Sequence, residues 1–235
     1  MMTCCPVVEL RQYTLHPGMR DQLIELFERE FVESQEEVGM RVIGTFRDLE
    51  NPDRFVWLRG FQDMTSRAAQ LQRFYGGSIW KAHRDAANVT MIDSDNVLLL
   101  RPITTQSGFN VAGVARAARD SKQTNTGVIL ATIYYLSGDA EEFAKWFNQD
   151  VAPRLRETDI PILGAFVTEH HPNTFPALPV REDANVFVWF TRLADRAEYD
   201  RNPLGKEVSL KVSERIKANP EMLFLAPTAR SLLRA

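Results

Sequence analysis

Residues 55–69 read FVWLRGFQDMTSRAA and residues 187–199 read FVWFTRLADRAEY, so the chain writes nearly the same stretch twice. A repeat of this kind constrains the fold before any single motif does, because both copies must reach the same local structure and the molecule must have room for two of them. Around the first copy, VVELRQYTL (7–15) alternates in the manner of a strand, and 19–38 carries Leu23, Phe27 and Phe31 at helical spacing. RVIGTF (41–46) and RFVWLRGF (54–61) read as a hairpin joined by the turn formers DLENPD. A helix opening at Thr65, a break at Gly76-Gly77-Ser78, a second helical piece and the strand NVLLLRP (96–102) complete the order βαββαβ.

The second copy keeps that order. GVILATIYYL gives the strand, Asp139 with Glu142 forms a capping box, and Phe143, Phe147 and Val151 share a helix stripe. Phe27 precedes Gly44 by 17 positions and Phe147 precedes Gly164 by the same 17, so VIGTF and ILGAF are one strand written twice. Asp195 and Glu198 cap the next helix, Asn202-Pro203 breaks it, and EMLFLAP matches NVLLLRP. The predicted class is α+β: two tandem ferredoxin-like βαββαβ units, residues 7–102 and 127–229, whose four-stranded sheets each have an apolar face to cover. Bringing them together closes one eight-stranded barrel within the chain. Residues 103–126 are the linker, with a short helix expected through VAGVARAAR.

With 44% hydrophobic and 25% charged residues in 235, the chain has the content of an ordinary globular protein with a full core. A net charge of -3 gives no reason to expect nucleic acid or an anionic membrane surface as partner. The start, MMTCCPVVEL, lacks a basic region followed by an apolar stretch, and VILATIYYL (128–136) is far below the roughly 20 residues of a membrane helix. The expectation is a cytoplasmic protein without membrane insertion. Cys4 and Cys5 are adjacent and read as incidental free thiols.

The opening E-x-R-x-Y-T-L-x-P-G (Glu9, Arg11, Tyr13, Thr14, Leu15, Pro17, Gly18), then V-I-G-T-F, then F-V-W-L-R-G-F-Q-D followed by Arg67, resembles the NIPSNAP family of the dimeric α+β barrel superfamily. The resemblance covers the first unit almost completely. The second unit keeps Gly164, Phe166, Trp189 and Asp195 but has Leu130 and Thr132 where the motif has Glu9 and Arg11. What it implies is the barrel fold; related barrels include cofactor-free monooxygenases, lactone isomerases and haem enzymes, so it selects no single reaction.

Parity puts Glu9, Arg11 and Tyr13 on one face of the first strand and Trp57, Arg59 and Phe61 on one face of the third. Two readings follow. In one, Arg11 and Arg59 bind a carboxylate, phenolate or enolate, Tyr13 donates a proton, Trp57 and Trp80 line the pocket, and His83, three residues beyond Trp80 on one helix face, acts as a base. Arg59→Leu would then weaken anion binding and leave folding intact. In the other, Glu9 and Arg11 are a structural ion pair, the aromatics are core, and the protein is a binding or scaffold protein without chemistry. The positions matching Trp80 and His83 in the second unit are Gly205 and Val208, which favours a site in the first. No metal, haem or other cofactor is predicted: His170 and His171 point to opposite faces of a strand end, one histidine is too little for haem, and Gly205-Lys206 lacks the leading glycine of a phosphate loop. The hairpin loop 171–184, with Pro172, Pro176 and Pro179, is read as a lid or an interface arm, and with the linker it suggests a homodimer or larger assembly.

Overall fold

The computed structural model describes residues 4–123, 125–157, 160–201, 212 and 215–235. The break expected at Asn202-Pro203, and the positions Gly205, Lys206 and Val208, lie outside them. β1 (Val7–Leu15), β2 (Arg41–Asp48), β3 (Arg54–Phe61), β4 (Met91–Pro102), β5 (Val128–Tyr135), β6 (Gly164–Thr168), β7 (Val186–Leu193) and β8 (Glu221–Pro227) form one closed barrel in the order β1, β3, β2, β8, β5, β7, β6, β4. Within each half the order is fourth, first, third, second. The halves are stitched by β2 to β8 and by β4 to β6, which leaves none of these strands with an open edge.

Between the strands lie α1 (Arg20–Leu26), α2 (Val32–Glu37), α3 (Met64–Gly76) and α4 (Ser78–Asn88) in the first half, and α5 (Ala140–Trp146), α6 (Ala152–Glu157) and α7 (Arg196–Arg201) in the second. The expected caps at Asp139 and Asp195 form, accepting from Glu141 N at 2.6 Å and from Glu198 N at 2.7 Å, and Asp63 caps α3 by accepting from Ser66 N at 2.6 Å. The helix expected over 19–38 carries a π-helical turn at Phe27–Phe31 between α1 and α2, and its counterpart carries one at Phe147–Val151. Apolar residues spaced by fours run ahead of a helix of 3.6 residues per turn. The wider turn absorbs that excess and keeps Phe27 and Phe31 in one layer against the sheet.

Alternation sorts every strand into two faces. Val8, Leu10, Val56, Leu58, Leu98 and Leu100 fill the barrel interior with Ile129, Ala131 and Ile133, while Tyr13, Leu15, Phe55, Trp57, Phe61 and Leu99 face the helices of the first half. Glu9, Arg11 and Arg59, by the same parity, lie in the layer between sheet and helices, outside the barrel lumen. The repeated glycine of VIGTF and ILGAF has a packing cause: the ring two residues on folds back over it. A Cβ on Gly44 would lie 2.3 Å from the Phe46 ring, and one on Gly164 would lie 2.7 Å from Phe166. Gly44→Ala should therefore destabilise by about 1–3 kcal/mol in urea titration. Gly76→Ala, with open space at the Cβ, should stay within about 0.5 kcal/mol.

Two expectations fail here. The stretch VAGVARAAR is not helical: Phe109 and Val111 insert into the barrel core, and Arg116 fixes the extended chain by donating to Arg230 O, Val42 O and Glu36. These distant partners outweigh a weak local helix preference. Cys4 and Cys5 are joined in a disulfide rather than free. Cys5 is buried in the barrel core over Gly60, where a Cβ would approach Cys5 Sγ to 2.3 Å. Among the described residues no helix is long and apolar enough to cross a membrane.

Candidate functional site

Four charged side chains meet in the layer between the first-half sheet and its helices. Glu9 and Arg59 are partners in the β1–β3 register, Arg11 is paired with Trp57 two positions along, and Arg67 comes one turn into α3, directed inward by the Asp63 cap. Glu9 takes Arg11 Nη1 at 2.9 Å, Arg59 Nε at 3.0 Å and Arg59 Nη2 at 2.6 Å on one oxygen, and Arg67 Nε at 2.8 Å on the other. All four side chains have no exposed surface. Arg59 Nη1 reaches Gln35 Oε1 at 3.0 Å, and Arg11 Nε donates to Tyr13 Oη at 3.1 Å.

This corrects the expectation for Arg59. It is a fully buried member of an ionic cluster rather than a partly exposed sheet arginine, because α2 and α3 cover the face on which it stands. The ion pair of Glu9 with Arg11 exists, but in the interior rather than at a rim.

Three guanidiniums converge on one carboxylate, so the cluster carries an excess of positive charge. Aromatic rings meet part of it: Arg11 lies over Tyr13 and Trp57, Arg59 over Trp57 and Phe61, and Arg67 over Phe61, at 5.0–5.8 Å from the ring centres. Even so, Arg11 Nη2 and Arg67 Nη2 are buried without a hydrogen-bond partner. Burial pushes the Glu9 carboxyl up, but the charges of Arg59, Arg11 and Arg67 overrule it and hold the group well below the usual carboxylate range. Arg67 is lowered by burial against the pull of Glu9. Burial raises the Tyr13 phenol despite Arg11 beside it, so Tyr13 stays protonated at neutral pH and can donate.

The structure brings Arg11, Tyr13, Trp57 and Arg59 together. Trp80 lies farther out on α4, packed on Phe31, Phe74 and Tyr75 with ring centres 5.4, 5.8 and 4.9 Å away. His83 is half-buried, its Nε2 3.6 Å from Glu30 Oε2 and its ring against Phe31, so its contacts are with that helix rather than with Arg59.

The loop 171–184, open between lid and interface arm from the sequence, closes over the first half of its own chain. Asn173 Oδ1 and Thr174 Oγ1 accept from Arg67 Nη1 at 2.9 and 3.3 Å, Phe175 stacks on Tyr75 at 5.9 Å, and Arg181 N donates to Val97 O. Sequence reasoning missed Arg67, Gln35, Tyr75 and Asn173 as members of the site. Arg67 was within reach, since a residue four after the Asp63 cap faces inward; Asn173 was not, because only the closed barrel brings that loop to α3.

The second half lacks the cluster. Leu130 pairs with Thr191 where Glu9 pairs with Arg59, and Thr132 pairs with Trp189 where Arg11 pairs with Trp57. The NIPSNAP family model matches residues 8–106. Over its first half the chain is therefore similar to NIPSNAP proteins. Arg11, Arg59 and Arg67 all lie inside this NIPSNAP match, whereas the loop that meets Arg67 comes from beyond it. No curated protein matches the chain. A candidate monooxygenase from Lactobacillus acidophilus NCFM aligns over 97% of this chain and 97% of its own, at 15% identity and TM-score 0.57. Another from Fusobacterium nucleatum subsp. nucleatum aligns over 97% and 94%, at 11% identity and TM-score 0.60. An anthrone oxidase-like protein aligns over 97% and 95%, at 9% identity and TM-score 0.54. At such identities the likeness is one of fold: an α+β barrel filled by one chain.

Proposed function

We propose that the NIPSNAP half binds a small planar anion between its sheet and helices and performs cofactor-independent oxygenation or proton transfer on it. The observation that carries this reading is the unanswered positive charge: two buried guanidinium nitrogens, Nη2 of Arg11 and Nη2 of Arg67, have no acceptor. Buried donors are nearly always satisfied, and an orphaned one costs about 1–3 kcal/mol. An enolate or phenolate held there gains charge-assisted hydrogen bonds in a region away from water, which favours the anionic form that reacts with oxygen or exchanges a proton. Tyr13 adjoins Arg11 and is assigned the proton-donor role; Trp57 supplies a flat wall, and Trp80 and His83 form the outer edge of the layer. The two candidate monooxygenases and the anthrone oxidase-like protein on the same fold support the oxygenase form of this reading.

In this reading residues 7–102 and 127–229 are tandem ferredoxin-like units joined by 103–126, the second contributing the lid and barrel closure rather than a second anion site. A scaffold without chemistry is the second reading, favoured by the complete enclosure of the cluster. Thermal-shift and calorimetric titration with benzoate, phenylpyruvate and related small acids separates the two. The expected result is a rise in Tm with aromatic or keto acids and none with their amides, followed by oxygen uptake without added cofactor for at least one of them. No stabilisation by any acid would leave the scaffold reading standing. Association as a homodimer or larger assembly is a further part of the proposal, to be read by light scattering at micromolar concentration; a single monomeric species would remove it.

A further inference from the structure

Arg67 differs from the other two arginines in what completes its fork. Its Nε is held by Glu9 and its Nη2 has no partner. Its Nη1 is met by two neutral oxygens, Asn173 Oδ1 and Thr174 Oγ1, from a loop more than 100 residues away. Both oxygens bond the same nitrogen of the fork, Nη1, and leave Nη2 open. Neither residue is committed to Arg67 alone. Thr174 donates its hydroxyl to Met64 O at 3.1 Å, and Asn173 Oδ1 also accepts from Phe175 N at 3.1 Å. Next to this contact an open cleft of about 670 Å³ is lined by Val7, Gln62, Met64, Arg101 and His171, large enough for a small aromatic acid.

We propose that Asn173 and Thr174 are placeholders: in the unliganded protein they occupy the position on Arg67 that a ligand monocarboxylate takes, and the ligand enters from this cleft by displacing the 173–178 turn. This rests on the reading of the first half as a small-anion site and names the class of ligand. Exchanging neutral acceptors for a carboxylate keeps the charged donor and adds an opposite charge on the acceptor, so the hydrogen bonds gain the attraction of an ion pair. Arg67 Nη1, once released, joins Arg67 Nη2 and Arg11 Nη2 as donors to the oxygens of the ligand carboxylate.

Hydrogen exchange on the full-length wild-type protein, with benzoate and phenylpyruvate as probes and benzamide as the neutral control, tests the displacement directly. Saturating acid should speed exchange at the amides of 173–178 while benzamide leaves them unchanged. The double variant Asn173→Ala, Thr174→Ala should bind the same acid about three- to tenfold more tightly, because the competing closed state is weakened. Acid binding that leaves the 173–178 amides unchanged or slower, or equal affinity in the double variant, overturns the placeholder assignment while the small-anion site stands. Wild-type protein that binds neither acid overturns the small-anion reading, and this assignment with it.

Discussion

Glu9→Gln should be the most damaging single substitution in the molecule, lowering stability by about 3–5 kcal/mol and Tm by roughly 6–20 °C. The variant keeps the shape of the side chain but removes the one carboxylate that Arg11, Arg59 and Arg67 share, leaving three guanidiniums in a space closed to water. Taken from a total of about 5–15 kcal/mol, that loss leaves little margin, and poor yield of folded protein is an expected form of the same result. The pH dependence has a definite sign. The Glu9 pKa is depressed in the folded state, so its stabilisation is complete above the unfolded carboxyl pKa of about 4.3 and is lost as pH falls below it. Wild-type protein should therefore lose stability steadily below about pH 4.3, and Glu9→Gln should show a shallower fall. Urea titrations of both proteins at pH 7, 5 and 3.5 measure it; equal stability of the two at pH 7 would show that Glu9 does not hold the cluster together.

How much of this was legible beforehand depended on whether the deciding partner was near in sequence. The two hairpins, the caps at Asp139 and Asp195 and the strand parities are local properties, and each survives in the folded chain. Parity placed Glu9, Arg11 and Tyr13 on one face, but it cannot say whether that face meets water or a helix. Burial of Arg59 follows only once Gln35 and Arg67 arrive from helices 24 positions before it and eight after it. The loop 171–184 was less accessible still: its prolines announce a stiff excursion, yet its destination on Arg67 and Tyr75 is set by barrel closure. The alanines of 111–119 suggested a helix because nothing local reveals that Phe109 and Val111 are core residues. His83 and Trp80 share a helix face as expected, but they look toward Phe31 and not into the cluster.

Arg59→Leu is the second large effect, and it reverses the sequence-based expectation that folding would be left intact. The substitution removes two hydrogen bonds to Glu9 and one to Gln35, each charge-assisted and worth about 1.5–3 kcal/mol. Against this stands a relief: one of three mutually repelling guanidiniums is gone, and Glu9 keeps Arg11 and Arg67. The relief offsets the lost hydrogen bonds only in part, so a net loss of about 2–4 kcal/mol is expected, smaller than for Glu9→Gln. The double variant decides whether excess positive charge governs the site. Removing Glu9 alone adds one unpaired positive charge, while removing Glu9 and Arg59 together returns the cluster to the wild-type excess. Glu9→Gln with Arg59→Leu should therefore be more stable than the sum of the two single losses allows, by about 1–3 kcal/mol, in a double-mutant cycle measured by urea titration at pH 7. Additive losses would mean that the rings of Tyr13, Trp57 and Phe61 already neutralise the arginines, and the case for an anion between Arg11 and Arg67 would lose its electrostatic basis.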